Sequence, residues 1–418
     1  MAPTKGVLLA HSDFPLYAVR ALDERHFLVA GGGGQAKTGI ANAIEIYELK
    51  SSQGNITCSS ISRHETGIRA VMNCASHYDG RHHHLATGED EFCCTYSVKY
   101  KVISPETEVA EAHDGVKQRK NENSQVGKDS SDHGVNSSTK QLTFHVEETG
   151  KVVSDFTNDG GFQKCVRFSP LMTHLVTGGA DGHLRLWRYP ELEKVWEVQA
   201  HKNEIDDLDF SPDGSKIITV SRDKNGVIWK AIDGQKLSEL IWNQIVPEPY
   251  RFKSCRYGLI EGKKDKFNFY TINIPVTRSD RLPCYVSMWD SSKFILKKTA
   301  KVGTEVVSAF AVSDEGIYLG IGSISGSVSV YVSFSLQKLY YLKEAHSIFV
   351  TSVEFLPCSE ATKAITGNQD FNLLSVSADN TIRLHQCPER STMHPIWLII
   401  CLVIVLYAVF YLMSEMGL

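Results

Sequence analysis

Hydrophobic and polar residues alternate with a period of two through most of the chain, in short runs separated by turn residues. The alternation is clear in Phe162–Tyr189, and Glu204–Lys230 repeats the same order of elements. Each segment has a strand, a Ser-Pro turn, a strand of small residues, an Asp-containing turn and a strand that carries Trp near its end. Such a pattern predicts β-strands rather than helices.

Further copies of this unit occupy most of the chain. Ala200-His201 precedes the second copy, and Ala345-His346 precedes another, in which His385 takes the Trp position. Four weaker copies lie at Phe14–Leu49, His64–Val98, Pro249–Asp290 and Thr304–Phe334. Seven units of four short strands predict an all-β, seven-bladed WD-repeat β-propeller over residues 1–392. The start of the chain, Gly6–His11, is expected to complete the last blade.

One segment departs from the repeat pattern. Residues 103–140 are polar and charged and contain no aromatic residue. We expect a disordered insert between blades two and three, because this composition buries too little apolar surface to offset the entropy of ordering.

The C-terminal region is uniformly apolar. The run Ile396–Met413 contains no charged residue, although the mean hydropathy of the whole chain is −0.18. Eighteen residues of helix span about 27 Å, so the run predicts one transmembrane helix over 396–413. Arg383 and Arg390 precede it and only Glu415 follows, which predicts a cytosolic propeller and a short lumenal tail at 414–418.

Composition excludes some functions and leaves little for covalent catalysis. The formal net charge of −4 argues against a nucleic-acid backbone as the main partner. The sequence has neither a GxSxG nor an HExxH motif. Four aspartates occupy positions where blades of this type place turn or hydrogen-bonding residues, and we expect structural roles for them: Asp181, Asp206, Asp223 and Asp379.

The strongest candidate for function is a glycine-rich segment in the first repeat, GGGGQAKTGIAN at 31–42. It nearly matches a phosphate-binding P-loop, but Ala36 replaces the glycine before Lys37, and a strand-like segment follows where that loop requires a helix. Three interpretations remain open: a simple hairpin, a loop whose backbone oxygens hold a cation, or a loop whose glycines allow a partner to approach closely.

Taken together, the WD-type propeller, the C-terminal apolar run and the loop GGGGxxKTGIxN resemble one family. It is the endoplasmic-reticulum family of guanine-nucleotide exchange factors that activates the Sar small GTPase. The resemblance covers nearly the whole chain and includes FPLYAV at Phe14–Val19, TGGADG at Thr177–Gly182 and the region Ser327–His346.

The resemblance implies a function, a location and site residues. It implies GDP release from a Sar-type GTPase at the endoplasmic-reticulum membrane, which starts COPII vesicle formation for ER-to-Golgi transport, with other ER-exit-site proteins as further partners. It implies an exchange surface that includes Ile40 and Asn42, and a potassium ion held by the loop. The residues for the ion are Gly31, Gly32, Gly33, Gly34 and Asn42.

Such a factor needs no covalent chemistry of its own. A noncatalytic membrane-anchored scaffold is the main alternative, and a DNA-binding transcription regulator is a weaker one.

Overall fold

The computed structural model describes residues 6–36, 39–52, 54–103, 141–157, 160–277, 279, 281–388 and 395–415. Within these residues the strands form seven four-stranded antiparallel sheets. We number the sheets as blades 1–7 in chain order. Blade 1 contains β2 (Leu16–Ala21), β3 (His26–Gly32), β4 (Asn42–Ser52) and β5 (Asn55–Glu65). Blade 2 contains β6 (Asn73–Tyr78), β7 (His83–Glu89), β8 (Phe92–Ile103) and β9 (Gln141–Val153). Blade 3 contains β10 (Gln163–Phe168), β11 (His174–Gly179), β12 (His183–Arg188) and β13 (Glu193–Gln199).

The remaining blades repeat this arrangement, and the last one uses the first strand of the chain. Blade 4 contains β14 (Ile205–Phe210), β15 (Lys216–Ser221), β16 (Gly226–Lys230) and β17 (Lys236–Glu239); blade 5 contains β18 (Tyr250–Ile260), β19 (Lys263–Pro275), β20 (Cys284–Asp290) and β21 (Leu296–Gly303); blade 6 contains β22 (Val307–Val312), β23 (Tyr318–Ser323), β24 (Val328–Val332) and β25 (Gln337–Leu342); blade 7 contains β26 (Val350–Phe355), β27 (Gln369–Ser377), β28 (Thr381–Pro388) and β1 (Val7–His11).

The ring closes through two sets of contacts. β1 pairs antiparallel with β28, with Val7 opposite Leu384, so the start of the chain completes blade 7 as predicted. Between blades 7 and 1, Thr351 Oγ1 donates a hydrogen bond to the carbonyl oxygen of Leu16 at 2.7 Å. The predicted all-β, seven-bladed propeller is therefore confirmed.

The hydrophobic core is divided among the interfaces between neighbouring blades. One cluster joins Val176 and Leu184 of blade 3 to Leu208 and Ile217 of blade 4, and all four side chains are buried. Burying one such side chain stabilises the fold by roughly 1.5–3 kcal/mol. Because each blade covers only its neighbours, the ring is stable only when it is closed.

Hydrogen-bonding groups inside the blades confirm three of the four structural aspartates. In blade 4, Asp223 bonds His201, His201 bonds Thr219, and Trp229 Nε1 donates to Thr219 Oγ1 at 2.8 Å. In blade 7, Asp379 accepts from Ser347, while in blade 3 Asp181 accepts from Arg185.

Asp206 has a structural role, but the position expected for it is wrong. Its carboxylate contacts Arg251 and lies 3.0 Å from Lys253 Nζ, both on the innermost strand of blade 5. Asp206 is itself on the innermost strand of blade 4, so it belongs to the charged lining of the central channel and not to a turn.

The position expected for the insert is also wrong. β8 and β9 flank residues 104–140 and are adjacent third and fourth strands of blade 2, so the segment interrupts one blade and does not separate two. Ile103 belongs to β8. The predicted disorder of 104–140 falls outside the described residues.

Two helices accompany the propeller. α1 (Glu360–Thr366) lies between β26 and β27, and α2 (Pro395–Glu415) follows blade 7. Among the side chains that the structure describes, no helix offers an apolar stretch long enough to cross a membrane.

The antiparallel order of each blade gives the ring two distinct faces. Connections from the second to the third strand, and from one blade to the next, emerge on one face, which we call the loop face. Connections from the first to the second strand, and from the third to the fourth, emerge on the opposite face. β28 is a third strand, so the chain leaves blade 7 at that opposite face, which we call the exit face.

Candidate functional site

The glycine-rich segment forms the connection between β3 and β4 of blade 1, on the loop face. Gly31 and Gly32 are the last residues of β3, and Asn42 is the first residue of β4. Lys37 and Thr38, at the tip, lie outside the described residues. The predicted strand after the loop is confirmed, which excludes the helix that a P-loop requires.

Asn42 holds the base of this loop together. Its side chain is only 4% exposed. Oδ1 accepts a hydrogen bond from the Gly34 amide at 2.8 Å, and Nδ2 donates to the Gly34 carbonyl at 3.2 Å and to the Gly67 carbonyl at 2.9 Å. The buried Asn42 side chain thus fixes the glycine loop against the connection between blades 1 and 2. We call Asn42 and these three hydrogen bonds the clamp.

The first two glycines of the run are required by close packing. A Cβ on Gly31 would lie 1.9 Å from the carbonyl oxygen of Pro15. Gly32 has φ +140° and its Cβ would lie 2.1 Å from Asn42 Oδ1. Any larger residue at either position would displace the Asn42 side chain or β2, so these glycines serve the clamp and not the exposed surface.

The exposed part of the loop begins after the clamp. Gly33 and Gly34 are half-buried, and Gln35, Ala36 and Gly39 are exposed. Ile40 is 40% exposed and is therefore accessible to a partner. The structure places the predicted residues in one connection but gives them different environments: Ile40 is exposed, and the Asn42 side chain is buried.

Sequence analysis missed a second and a third contributor to the site. Ile68, in the connection that Asn42 holds through Gly67, is 65% exposed. Asp90, in the turn between β7 and β8 of blade 2, accepts a hydrogen bond from Gln35 Nε2 at 2.8 Å and lies 3.5 Å from Arg69 Nε. No local motif marks these residues, because only the ring geometry places them beside the glycine loop.

The oxygen atoms of the glycine segment itself are uncharged, which suits a monovalent cation better than a divalent one. The segment 31–42 contains no carboxylate, and its oxygens belong to the backbone carbonyls and to the side chains of Gln35, Thr38 and Asn42. The nearby Asp90 carboxylate accepts a hydrogen bond from Gln35 Nε2. Rings of carbonyl oxygens replace the hydration shell of potassium in other proteins. Asn42 Oδ1 accepts a hydrogen bond from the Gly34 amide and keeps a second lone pair, so it is one oxygen that could contact such an ion. Elsewhere in the described part of the chain, no group of three His, Cys, Asp or Glu side chains could hold a metal.

Comparisons with known proteins agree with this fold and extend it. The family described as "WD domain, G-beta repeat" matches residues 150–188 and 192–230, in blades 2, 3 and 4. "Guanine nucleotide-exchange factor SEC12" of Mus musculus is 37% identical over 423 residues, covering 99% of this chain and 98% of the relative.

Two other relatives carry the same name or a related one. SEC12 of Rattus norvegicus is 36% identical over 421 residues, with 99% of this chain and 98% of the relative covered. "SEC12-like protein 1" of Arabidopsis thaliana is 33% identical over 213 residues, half of each chain. With a full-length match at this identity, the chain belongs to the SEC12 family of guanine nucleotide-exchange factors.

Proposed function

We propose that this protein promotes GDP release from a Sar-type small GTPase at the endoplasmic-reticulum membrane and so initiates COPII vesicle formation for ER-to-Golgi transport. The observation that carries the proposal is the glycine loop on a chain of the SEC12 family: the buried Asn42 side chain holds the base of this loop, and Ile40 is exposed on it. Other proteins of ER exit sites are further partners.

The arrangement suits nucleotide exchange because exchange depends on differential binding. A small GTPase holds its nucleotide through phosphate contacts, magnesium and ordered switch segments. An exchange factor must bind the nucleotide-free state more tightly than the loaded state. Shifting such an equilibrium from 1:99 to 99:1 needs about 5.5 kcal/mol of difference. The hydrogen bonds of Asn42 with Gly34 and of Gln35 with Asp90 restrain the described part of the loop, and a restrained loop loses less entropy when it binds the GTPase.

We also propose that the loop holds a potassium ion. The residues that would hold it are Gly31, Gly32, Gly33 and Gly34, through their backbone oxygens, and Asn42, through Oδ1. A bound monovalent cation would supply positive charge that fixes several carbonyl dipoles in one direction. Support comes from the Asn42 side chain, whose hydrogen bonds to Gly34 and Gly67 hold its Oδ1 at the base of the loop, next to the backbone of the glycine run.

We propose that α2 anchors the propeller in the membrane as a single pass, with the propeller in the cytosol and 414–418 in the lumen. The support is the uncharged run Ile396–Met413 and the exposure of its described apolar side chains, such as Leu402, Val405 and Phe410. The basic residues Arg383 and Arg390 on the N-terminal side favour that side as cytosolic. Protease treatment of sealed microsomes tests this topology: the propeller should be digested without detergent.

A stopped-flow assay tests the exchange activity. The full chain is reconstituted in phospholipid vesicles and mixed with a Sar-type GTPase loaded with a fluorescent GDP analogue and with excess GTP. We expect catalytic acceleration of GDP release, with a higher rate in potassium than in sodium buffer at equal ionic strength. A release rate equal to the spontaneous one would contradict the proposal and leave the membrane-anchored scaffold as the explanation. Acceleration that is equal in both buffers would contradict only the potassium site.

A further inference from the structure

Four hairpin tips on the exit face carry exposed large apolar side chains. Leu171 is in the connection between β10 and β11, Ile232 between β16 and β17, Ile295 between β20 and β21, and Phe334 between β24 and β25. Their exposed fractions are 82%, 75%, 55% and 66%, respectively. The four tips belong to blades 3, 4, 5 and 6, so they follow one another around the ring.

These side chains are not needed by the hairpins that carry them. Tight connections between strands are built from polar residues, glycine and proline, whose hydrogen bonds and φ angles make the turn. An apolar side chain that points into solvent at the tip adds nothing to the turn. Exposed apolar residues also occur on the loop face, for example Ile241 and Ile245, so exposure by itself is not the argument. On the exit face they recur at the tips of four consecutive blades, which indicates a contact beyond the propeller.

Two of the tips border a continuous apolar groove between blades 3 and 4. Leu171 and Ile232 line a cavity of about 730 Å³ together with Val195, Phe210 and Leu237. Val195 and Leu237 are themselves exposed by more than two-fifths. The apolar surface at this edge is thus a patch and not a set of isolated residues.

The connection to α2 brings this face close to the C-terminal helix. β28 ends at Pro388 on the exit face, and α2 begins at Pro395. Because an extended residue covers at most about 3.6 Å, the link between them cannot exceed about 25 Å, whatever its conformation. If α2 is embedded in a bilayer, the exit face lies next to the lipid surface, whereas the loop face points away from the point of attachment.

Charges beside the tips favour a neutral surface over an anionic one. Asp233, next to Ile232, is 3.1 Å from Lys230 Nζ, and Asp290, near Ile295, is 2.9 Å from Lys297 Nζ. Asp213, at the groove edge, accepts hydrogen bonds from Ser211 and Ser215. The four connections that carry the tips contain one acidic residue, Asp233, and one basic residue, Lys293, so they offer no cluster of positive charge to select an anionic lipid.

We infer that the exit face is a second membrane contact, in which the tips of blades 3–6 insert Leu171, Ile232, Ile295 and Phe334 into the interface of a zwitterionic phospholipid bilayer. This inference rests on the proposed membrane anchoring by α2. The contact fixes the orientation of the propeller, so that the glycine loop faces the cytosol and not the lipid. Apolar side chains that enter the headgroup and upper acyl region gain free energy in proportion to the area that they bury.

Quenching of tryptophan fluorescence by brominated lipid tests this orientation. The full chain is reconstituted in phosphatidylcholine vesicles with and without brominated acyl chains, as the parent and as the variants Leu171→Trp and Phe334→Trp. The matched control is Ile245→Trp, at an exposed loop-face position. We expect brominated lipid to reduce the additional emission of the two exit-face variants and to leave that of the control unchanged.

Each outcome assigns a cause. If the added tryptophans at 171 and 334 are quenched no more than the one at 245, while the protein floats with the vesicles, the membrane contact is wrong and the tips face a protein partner or solvent. If the protein does not float with the vesicles, the anchor itself is wrong and the inference is overturned with it. GDP release measured on the same samples reports separately on the exchange activity.

Discussion

Blades 1 and 4 use the same topological position for different purposes. In blade 4 the connection between the second and third strands is a tight turn, where Asp223 accepts hydrogen bonds from the amides of Lys202 and Asn225 and contacts His201. In blade 1 this connection is the longer segment 33–41, and the side chain that organises it is Asn42.

The difference lies in what each polar side chain stabilises. The Asp223 network is directed inward, through His201 and Thr219 to the buried Trp229, and stabilises the blade itself. The three hydrogen bonds of the Asn42 side chain go to two connections on the loop face and leave the exposed loop in a fixed position. A blade can therefore have a long exposed loop in place of a compact turn, provided that one buried amide side chain supplies the hydrogen bonds that hold the base of the loop.

The largest effect is expected for Asn42→Ala. The change removes three hydrogen bonds at the base of the loop, which contribute about 3 kcal/mol together. If the loop must hold one conformation to act, this is roughly a hundredfold loss of exchange rate. Stopped-flow GDP release measures it, and circular dichroism verifies that the propeller remains folded.

Asn73→Ala is the matched control for this variant. Asn73 also lies on the loop face and ties two blades, since its Nδ2 donates to the Gln163 carbonyl at 2.9 Å, but its side-chain hydrogen bonds go to blade 3 and not to the glycine loop. It should lower stability by a similar amount and leave exchange close to the parent. An equal loss of exchange in both variants would show that general destabilisation, and not the loop, is responsible.

Asp223→Ala should produce the opposite pattern. It removes the acceptor for two backbone amides and the partner of buried His201, which costs about 2–3 kcal/mol of unfolding free energy. Urea denaturation should show a lower midpoint, while exchange at low temperature should stay near the parent rate. A strong loss of exchange with an unchanged midpoint would remove the distinction between the two blades.

The sequence predicts the ring well because the information about blades is local and repeated. Alternation with a period of two and the Asp and Trp residues within each repeat give the strands of blades 3 and 4 directly, and His201 also marks the start of blade 4. The pairing of β1 with blade 7 can also be predicted, because the ring of a propeller must be closed. The predicted position of the insert, between blades 2 and 3, is wrong because the long strands β8 and β9 pair with each other on either side of residues 104–140. The composition of the insert does not show where a blade ends.

The site was predictable only in part. The segment 31–42 stands out by its four glycines, but their two roles do not appear in the sequence, because the contacts of Gly31 with Pro15 and of Gly32 with Asn42 arise from the packing of β2 and β4. Asp90 and Ile68 belong to other connections and reach the loop only through the arrangement of blades 1 and 2. Contacts between distant segments carry no local pattern, so sequence analysis cannot assign them.

Acid should weaken the His-containing blades. Burial lowers the pKa of His346 to about 4 and that of His385 to about 3, because the charged imidazole is poorly solvated there. In the unfolded chain these groups titrate near 6.5, so between pH 6.5 and 4 the unfolded state binds more protons and stability falls as the pH falls. Each histidine contributes a slope of at most about 1.4 kcal/mol per pH unit.

Urea midpoints measured from pH 7.5 to pH 5.5 test this dependence. His346→Asn, which cannot take up a proton in this range, should give a smaller slope than the parent, even if its stability at pH 7.5 is lower. A parent midpoint that stays constant over the whole range would contradict the assignment of these buried neutral histidines.

The smallest effect is expected for Ile40→Ala, which leaves the clamp intact and removes only exposed apolar surface. If Ile40 is buried against the GTPase, the lost area corresponds to about 1 kcal/mol, or roughly a fivefold increase in the KM for the GTPase. The kcat should change little, because Asn42 and the glycines still hold the loop. Ile245→Ala, at a fully exposed position between β17 and β18 that belongs to neither the glycine loop nor the exit-face tips, is the control and should leave KM unchanged. An Ile40→Ala variant that loses kcat without a change in KM would mean that Ile40 supports the loop from within, as Asn42 does, and does not contact the partner.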